Sequence, residues 1–171
     1  MVELRPALRD KIKRLMEKGV NFPNPLTIDI GDDGNVHANN KWEVGWRLSL
    51  AALHDVYGRD IVSSGPLFRS MRRERNTVRL TFDHADGLTL MRSSPTGFTV
   101  AGADRVFHDA VARIEKGEVV VSSPAVPDPV AVRYGWEDCP PCTLFNTAGL
   151  PASPFRTDSW PGVTEGRLQQ H

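Results

Sequence analysis

Apolar and polar positions along this chain follow one kind of period before Gly58 and another after it. Near the start, Leu4, Leu8, Ile12, Leu15 and Val20 fall close to helical spacing, which predicts an amphipathic helix with a single apolar stripe. The run LTIDI, residues 26–30, alternates instead and puts Leu26, Ile28 and Ile30 on one side of a strand. A polar loop, DDGNVHANNK over 32–41, leads into a second helical pattern. There Val44, Leu48, Ala52 and Val56 recur every four residues, and Leu53 and Tyr57 widen the face expected to be buried. Asn39 or Asn40 suits the N-cap, Glu43 the favourable first turn, and Gly58 the left-handed residue that ends the helix. Strand, polar loop and helix in this order predict part of an α/β domain, in which ligands bind at loops following strand ends.

Beyond Gly58 the helical signal stops. Short runs rich in β-formers recur between turn signals: NTVRLTFD, GLTLMRS, GFTVAG, AVARIEKGEVVVSS and PVAVRYGW. Val78, Leu80 and Phe82 alternate with polar partners, and EKGE between two runs reads as a tight hairpin. These features predict a small antiparallel β-sandwich over 59–138, followed by an irregular proline-rich tail over 139–171.

Composition narrows the function classes. The 171 residues are 40% hydrophobic and 25% charged, as in a globular chain, and 21 basic residues balance 21 acidic ones. That balance offers no electrostatic footprint for nucleic acid or an anionic membrane. The densest basic run, RSMRRERN over 69–76, is interrupted by Glu74 and reads as a solvated turn or edge. No stretch has the length of a membrane span, and the charged N-terminus lacks the apolar core of a secretory signal, so localisation is left open. Cys139 and Cys142 sit in DCPPCT. Pro140 and Pro141 disfavour a redox helix N-terminus there, and no second ligand pair accompanies them for zinc, so a turn is expected.

Six strings, TIDIGD, NNKWEVGWRLSLAAL, YGRDIVSSGPLF, FTVAGADRVFHDA, PVAVRYGW and LFNTAGLPASPFRTDSW, resemble the sialic-acid-specific (sialate) O-acetylesterases, carbohydrate esterases of the SGNH hydrolase group. The likeness runs in order from Leu26 to Trp160 and looks like the C-terminal portion of that family. It implies an α/β remnant over 1–58, a strand plus helices of an SGNH flavodoxin-like domain, followed by the sandwich. It implies an acetylated sugar, sialic acid or similar, as substrate, with no cofactor or metal, and a family that is typically periplasmic or secreted.

In that family the general base is the histidine of the loop after the DIGD-type strand, a place that His37 occupies. Imidazole titrates near neutrality, so it can take a proton from a serine hydroxyl and return one to the leaving alcohol. A carboxylate would fix its tautomer and stabilise its cation. Where the family reads Asp-Ile-His-Pro, this chain reads Asn35-Val36-His37-Ala38, which leaves Asp32 or Asp33 to supply that carboxylate. The family's nucleophile and oxyanion-hole blocks lie upstream of the matched region, and residues 1–25 resemble neither. Ser49, Ser63, Ser64, Ser122 and Ser123 fall in helix or strand patterns rather than on an exposed elbow, so none is expected to replace the nucleophile.

Other polar residues have structural as well as functional readings. Asp83, His84 and Asp86 in FDHADG match a turn better than a metal site, and His54 and His108 read as structural. Arg133, Trp136 and Arg156, with Tyr134, Phe155 and Trp160, suit a sugar site, since aromatic rings stack on sugars and arginine pairs with carboxylates. The same residues suit the pinning of a tail onto a sandwich. The expected function is therefore the histidine-bearing segment of a carbohydrate O-acetylesterase, inactive without a serine from elsewhere. The alternative is a non-catalytic sugar- or partner-binding sandwich. Expected partners are the missing esterase half or a second copy of the chain.

Overall fold

A computed structural model describes residues 41–91, 96–137, 140 and 142–162. Helix α1, Lys41–Ala51, continues into a wider π-helical turn, Ala52–Val56. Gly58 closes it at φ 62°, donating its N–H to the carbonyl of His54 at 3.1 Å, as the terminal glycine predicts. Ten strands follow: β1 Leu67–Glu74, β2 Thr77–Asp83, β3 Thr89–Leu90, β4 Phe98–Ala101, β5 Phe107–Asp109, β6 Val111–Glu115, β7 Glu118–Ser122, β8 Ala131–Tyr134, β9 Leu144–Phe145 and β10 Phe155–Arg156.

They form two four-stranded sheets, ordered β1-β2-β7-β6 and β10-β8-β4-β5, and the short pair β3-β9. Every pairing is antiparallel. Alternation decides which side chains turn inward. Val78, Leu80 and Phe82 of β2 and Val119 and Val121 of β7 meet Phe98 and Val100 of β4 and Val132 and Tyr134 of β8 in one core. The EKGE hairpin has the predicted two-residue turn. Glu115 pairs with Glu118, and Lys116 at φ 52° with Gly117 at φ 79° gives the two positive angles of a type I′ turn.

The α/β remnant expected from the first part of the chain is contradicted: the described residues are antiparallel sheets with one short helix, and no flavodoxin-like unit is present among them. Four-residue spacing reports only that a helix has an apolar stripe; it does not say what covers the stripe. Here the stripe is uncovered. Val44, Leu48, Val56 and Tyr57 are all exposed, Leu48 at 66%. The expected N-terminal helix and the strand 26–30 lie outside the described residues.

Residues 142–162 pack against the sandwich through β9 and β10. Phe155 of β10 stacks on Phe68 of β1 at 4.6 Å between centroids, and meets Phe82 at 5.6 Å, Tyr134 at 5.8 Å and Phe98 at 6.3 Å. One ring from this segment thus joins both sheets. The Tyr134 hydroxyl accepts the Leu144 N–H at 3.0 Å, and burial pushes its acidity well below that of an ordinary phenol. Asn146 donates to the carbonyls of Ser64 and His84 and accepts from Leu150 N–H, satisfying a buried amide completely enough to fix three loops. Gly65 lies so close to these loops that a Cβ would fall 1.9 Å from the Pro151 carbonyl oxygen. Only glycine fits there.

Candidate sugar-binding face

The outer face of the β10-β8-β4-β5 sheet carries the residues of interest. Because Val132 and Tyr134 point inward, Arg133 between them points out, in register with Arg156 on β10 and Thr99 on β4. Its guanidinium forms a two-pronged contact with Asp158, Nε to Oδ2 and Nη2 to Oδ1, both at 2.8 Å. The ring of Phe107 closes the other side, with its centroid 4.0 Å from Arg133 Cζ. The Asp158 side chain is 1% exposed. Its hydrogen bonds from Arg133 hold its carboxyl below the usual carboxylate range, and the same contacts raise Arg133 above its ordinary value.

Arg156 behaves differently. It donates from Nη1 to the Trp160 carbonyl at 2.9 Å and stands 3.9 Å from an Asp158 oxygen already bound to Arg133. Its Cζ lies 5.6 Å from the ring of Trp136, which is 49% exposed. Trp160 in turn meets Phe107 edge-on at 5.7 Å and carries Arg105 at 5.4 Å over its ring. Of the residues expected to bind substrate, Arg133, Trp136 and Arg156 are thus brought together, and Trp160 joins them. Asp158, Phe107 and Arg105 were not anticipated. The alternation of PVAVRYGW, which turns Arg133 outward as Tyr134 turns inward, was the available signal that Arg133 needed an acidic partner.

The expected catalytic residues His37, Asp32 and Asp33 lie outside the described residues. Ser49 donates to the Trp46 carbonyl at 2.7 Å and Ser64 to the Gly65 carbonyl at 2.9 Å, while Ser122 sits in β7 and Ser123 is buried at its end. Among the described residues no serine hydroxyl is hydrogen-bonded to an imidazole. His54, expected as a partly buried structural residue, is exposed and contacts Asp55 at 2.7 Å. In FDHADG, His84 takes the turn conformation at φ 53° and Asp83 contacts Arg69 at 3.4 Å. Burial raises the Cys142 thiol above its ordinary value, the opposite of an activated thiolate.

The chain is similar to the crystal structure of a carbohydrate acetylesterase from Xanthomonas citri, at 45% sequence identity and a TM-score of 0.72. The match covers 78% of this chain and 32% of the acetylesterase chain. No family model and no curated protein matches the sequence. The likeness relates this chain to carbohydrate esterases.

Proposed function

We propose that this chain is the sandwich-bearing segment of a carbohydrate O-acetylesterase of the sialate O-acetylesterase type. The observation that carries the reading is the 45% identity to a carbohydrate acetylesterase over 78% of the chain. In this reading His37 is the general base, oriented by Asp33 or Asp32. A serine from the upstream part of the enzyme adds to the acetyl carbonyl as His37 takes its proton. The imidazolium then protonates the departing sugar oxygen, and water deacylates the serine by the same route. The substrate is an acetylated sugar, sialic acid or a relative. The uncovered apolar stripe of α1 supports a covering partner, either the upstream half of an esterase or a second copy of the chain.

The test mixes the purified chain with the part of the Xanthomonas citri acetylesterase that lies outside the match and measures acetate release from an acetylated oligosaccharide. The expected result is release by the mixture, none by either part alone, and loss with His37→Ala. A mixture as silent as its parts, or a mixture active with His37→Ala, overturns the reading.

A further inference from the structure

We propose that the outer face of the second sheet binds an extended polyuronide through Trp136, Arg156, Trp160 and Arg105. Contacts run in the order ring, cation, ring, cation. Trp136 lies 5.6 Å from Arg156 Cζ, Arg156 donates to the Trp160 carbonyl, and Trp160 lies 5.4 Å beneath Arg105 Cζ. A polyuronide repeats the matching order, since each pyranose carries one carboxylate and offers an apolar face to an indole. A single terminal acidic sugar would need only one such step.

The two cations are available. Arg105 is exposed and has no carboxylate within 4.0 Å among the described residues, although Asp104 adjoins it in sequence. Asp104 instead accepts the Val106 N–H at 3.2 Å. Besides the Trp160 carbonyl, Arg156 meets one carboxylate oxygen, that of Asp158 at 3.9 Å, which Arg133 already holds at 2.8 Å. Asp109 faces the same side in the row of Thr99 and Arg133, and Glu137 follows Trp136, yet neither forms an ion pair with these guanidiniums. Arg105 also occupies a left-handed turn position at φ 63°, an uncommon place for a long side chain. Arg133 is a positioning residue here, clamped between Asp158 and Phe107 so that it holds the strand row beneath Arg156. Charge-assisted contacts from arginine to carboxylate supply orientation, and the indoles supply area.

The inference shares with the esterase reading only the chemical class of the ligand, and its test uses the chain without any added serine. Binding of a galacturonate hexamer is measured by calorimetry against a neutral xylose hexamer. Expected are at least tenfold weaker binding of the neutral chain, at least tenfold loss with either Trp136→Ala or Arg156→Ala, a several-fold loss with Arg105→Ala, and weakening by added salt. Arg79→Ala, on the opposite sheet, should leave the affinity unchanged. Circular dichroism of each variant identifies any that fail to fold, and Arg156→Lys then serves as the conservative replacement. Equal binding of the two hexamers, affinity insensitive to Trp136 and Arg156, tighter binding of a sialyl-oligosaccharide, or no binding of the galacturonate hexamer each overturns it.

Discussion

The two sheets present outer faces built from the same residue types and used in opposite ways. On the β1-β2-β7-β6 sheet, Arg79 contacts Glu74 at 2.6 Å, Glu115 at 2.8 Å and Glu118 at 3.5 Å, while Arg72 and Arg113 add further contacts to the same glutamates. Three arginines meet three partly exposed glutamates, and the charges cancel where they stand. On the β10-β8-β4-β5 sheet one carboxylate, Asp158, is buried beneath two arginines and the rings of Phe107, Trp136 and Trp160 flank them. The first face is a balanced surface that keeps a sheet soluble. The second is a buried acid shared by two arginines, with Arg105 outside that cluster and the Trp136 indole exposed. Counting arginines would not separate them; the burial of Asp158 does.

This contrast can be broken experimentally. The second face depends on residues 155–160, so the largest effect is expected for Phe155→Ala, which removes the ring joining both sheets. A core aromatic of this kind costs about 3–5 kcal/mol on truncation, and urea unfolding should show it together with altered Trp136 and Trp160 fluorescence. Asp158→Asn strands the guanidinium of Arg133 and should cost about 3 kcal/mol near neutrality. The sign with pH follows from the direction of the shift. Asp158 is held below its ordinary value of 3.8, so its contribution is present above that value and is lost as pH falls through the lowered one. The stability gap between the parent and Asp158→Asn should therefore close in strong acid, as followed by chemical denaturation at several pH values.

Smaller effects are expected from the first face. Glu115 is also held below its ordinary range, first by Arg113 and then by Arg79, but it is solvated. Glu115→Gln should leave the melting temperature within error of the parent, in keeping with exposed ion pairs generally. A loss comparable to that of Asp158→Asn would end the distinction between the faces. Smallest of all on stability is Trp46→Glu with Leu48→Glu, because both side chains are exposed on α1. Its readout is sedimentation, where concentration-dependent association of the parent should disappear; a parent that stays monomeric removes the case for a covered helix.

The sequence was most informative where local chemistry decides structure. Period-two alternation located Val78, Leu80 and Phe82, and EKGE announced its turn, because pleat and turn angles depend on neighbouring residues alone. Prolines and irregular spacing hid β9 and β10, each two residues long, whose existence depends on partners far along the chain. The same limit misled the reading of α1, since a stripe does not name its cover. At the site, Arg133, Trp136 and Arg156 were legible as residue types, but Asp158 was not, because a 25-residue separation gives no local sign of a bidentate pair.

The chain has four tryptophans, two on α1 and two on the proposed face, so their indole N–H resonances report separately on the two regions. Titration with a galacturonate hexamer should move the signals of Trp136 and Trp160 in a saturable way and leave Trp42 and Trp46 in place. Signals that all stay fixed, or that move most on the helix, would contradict the account.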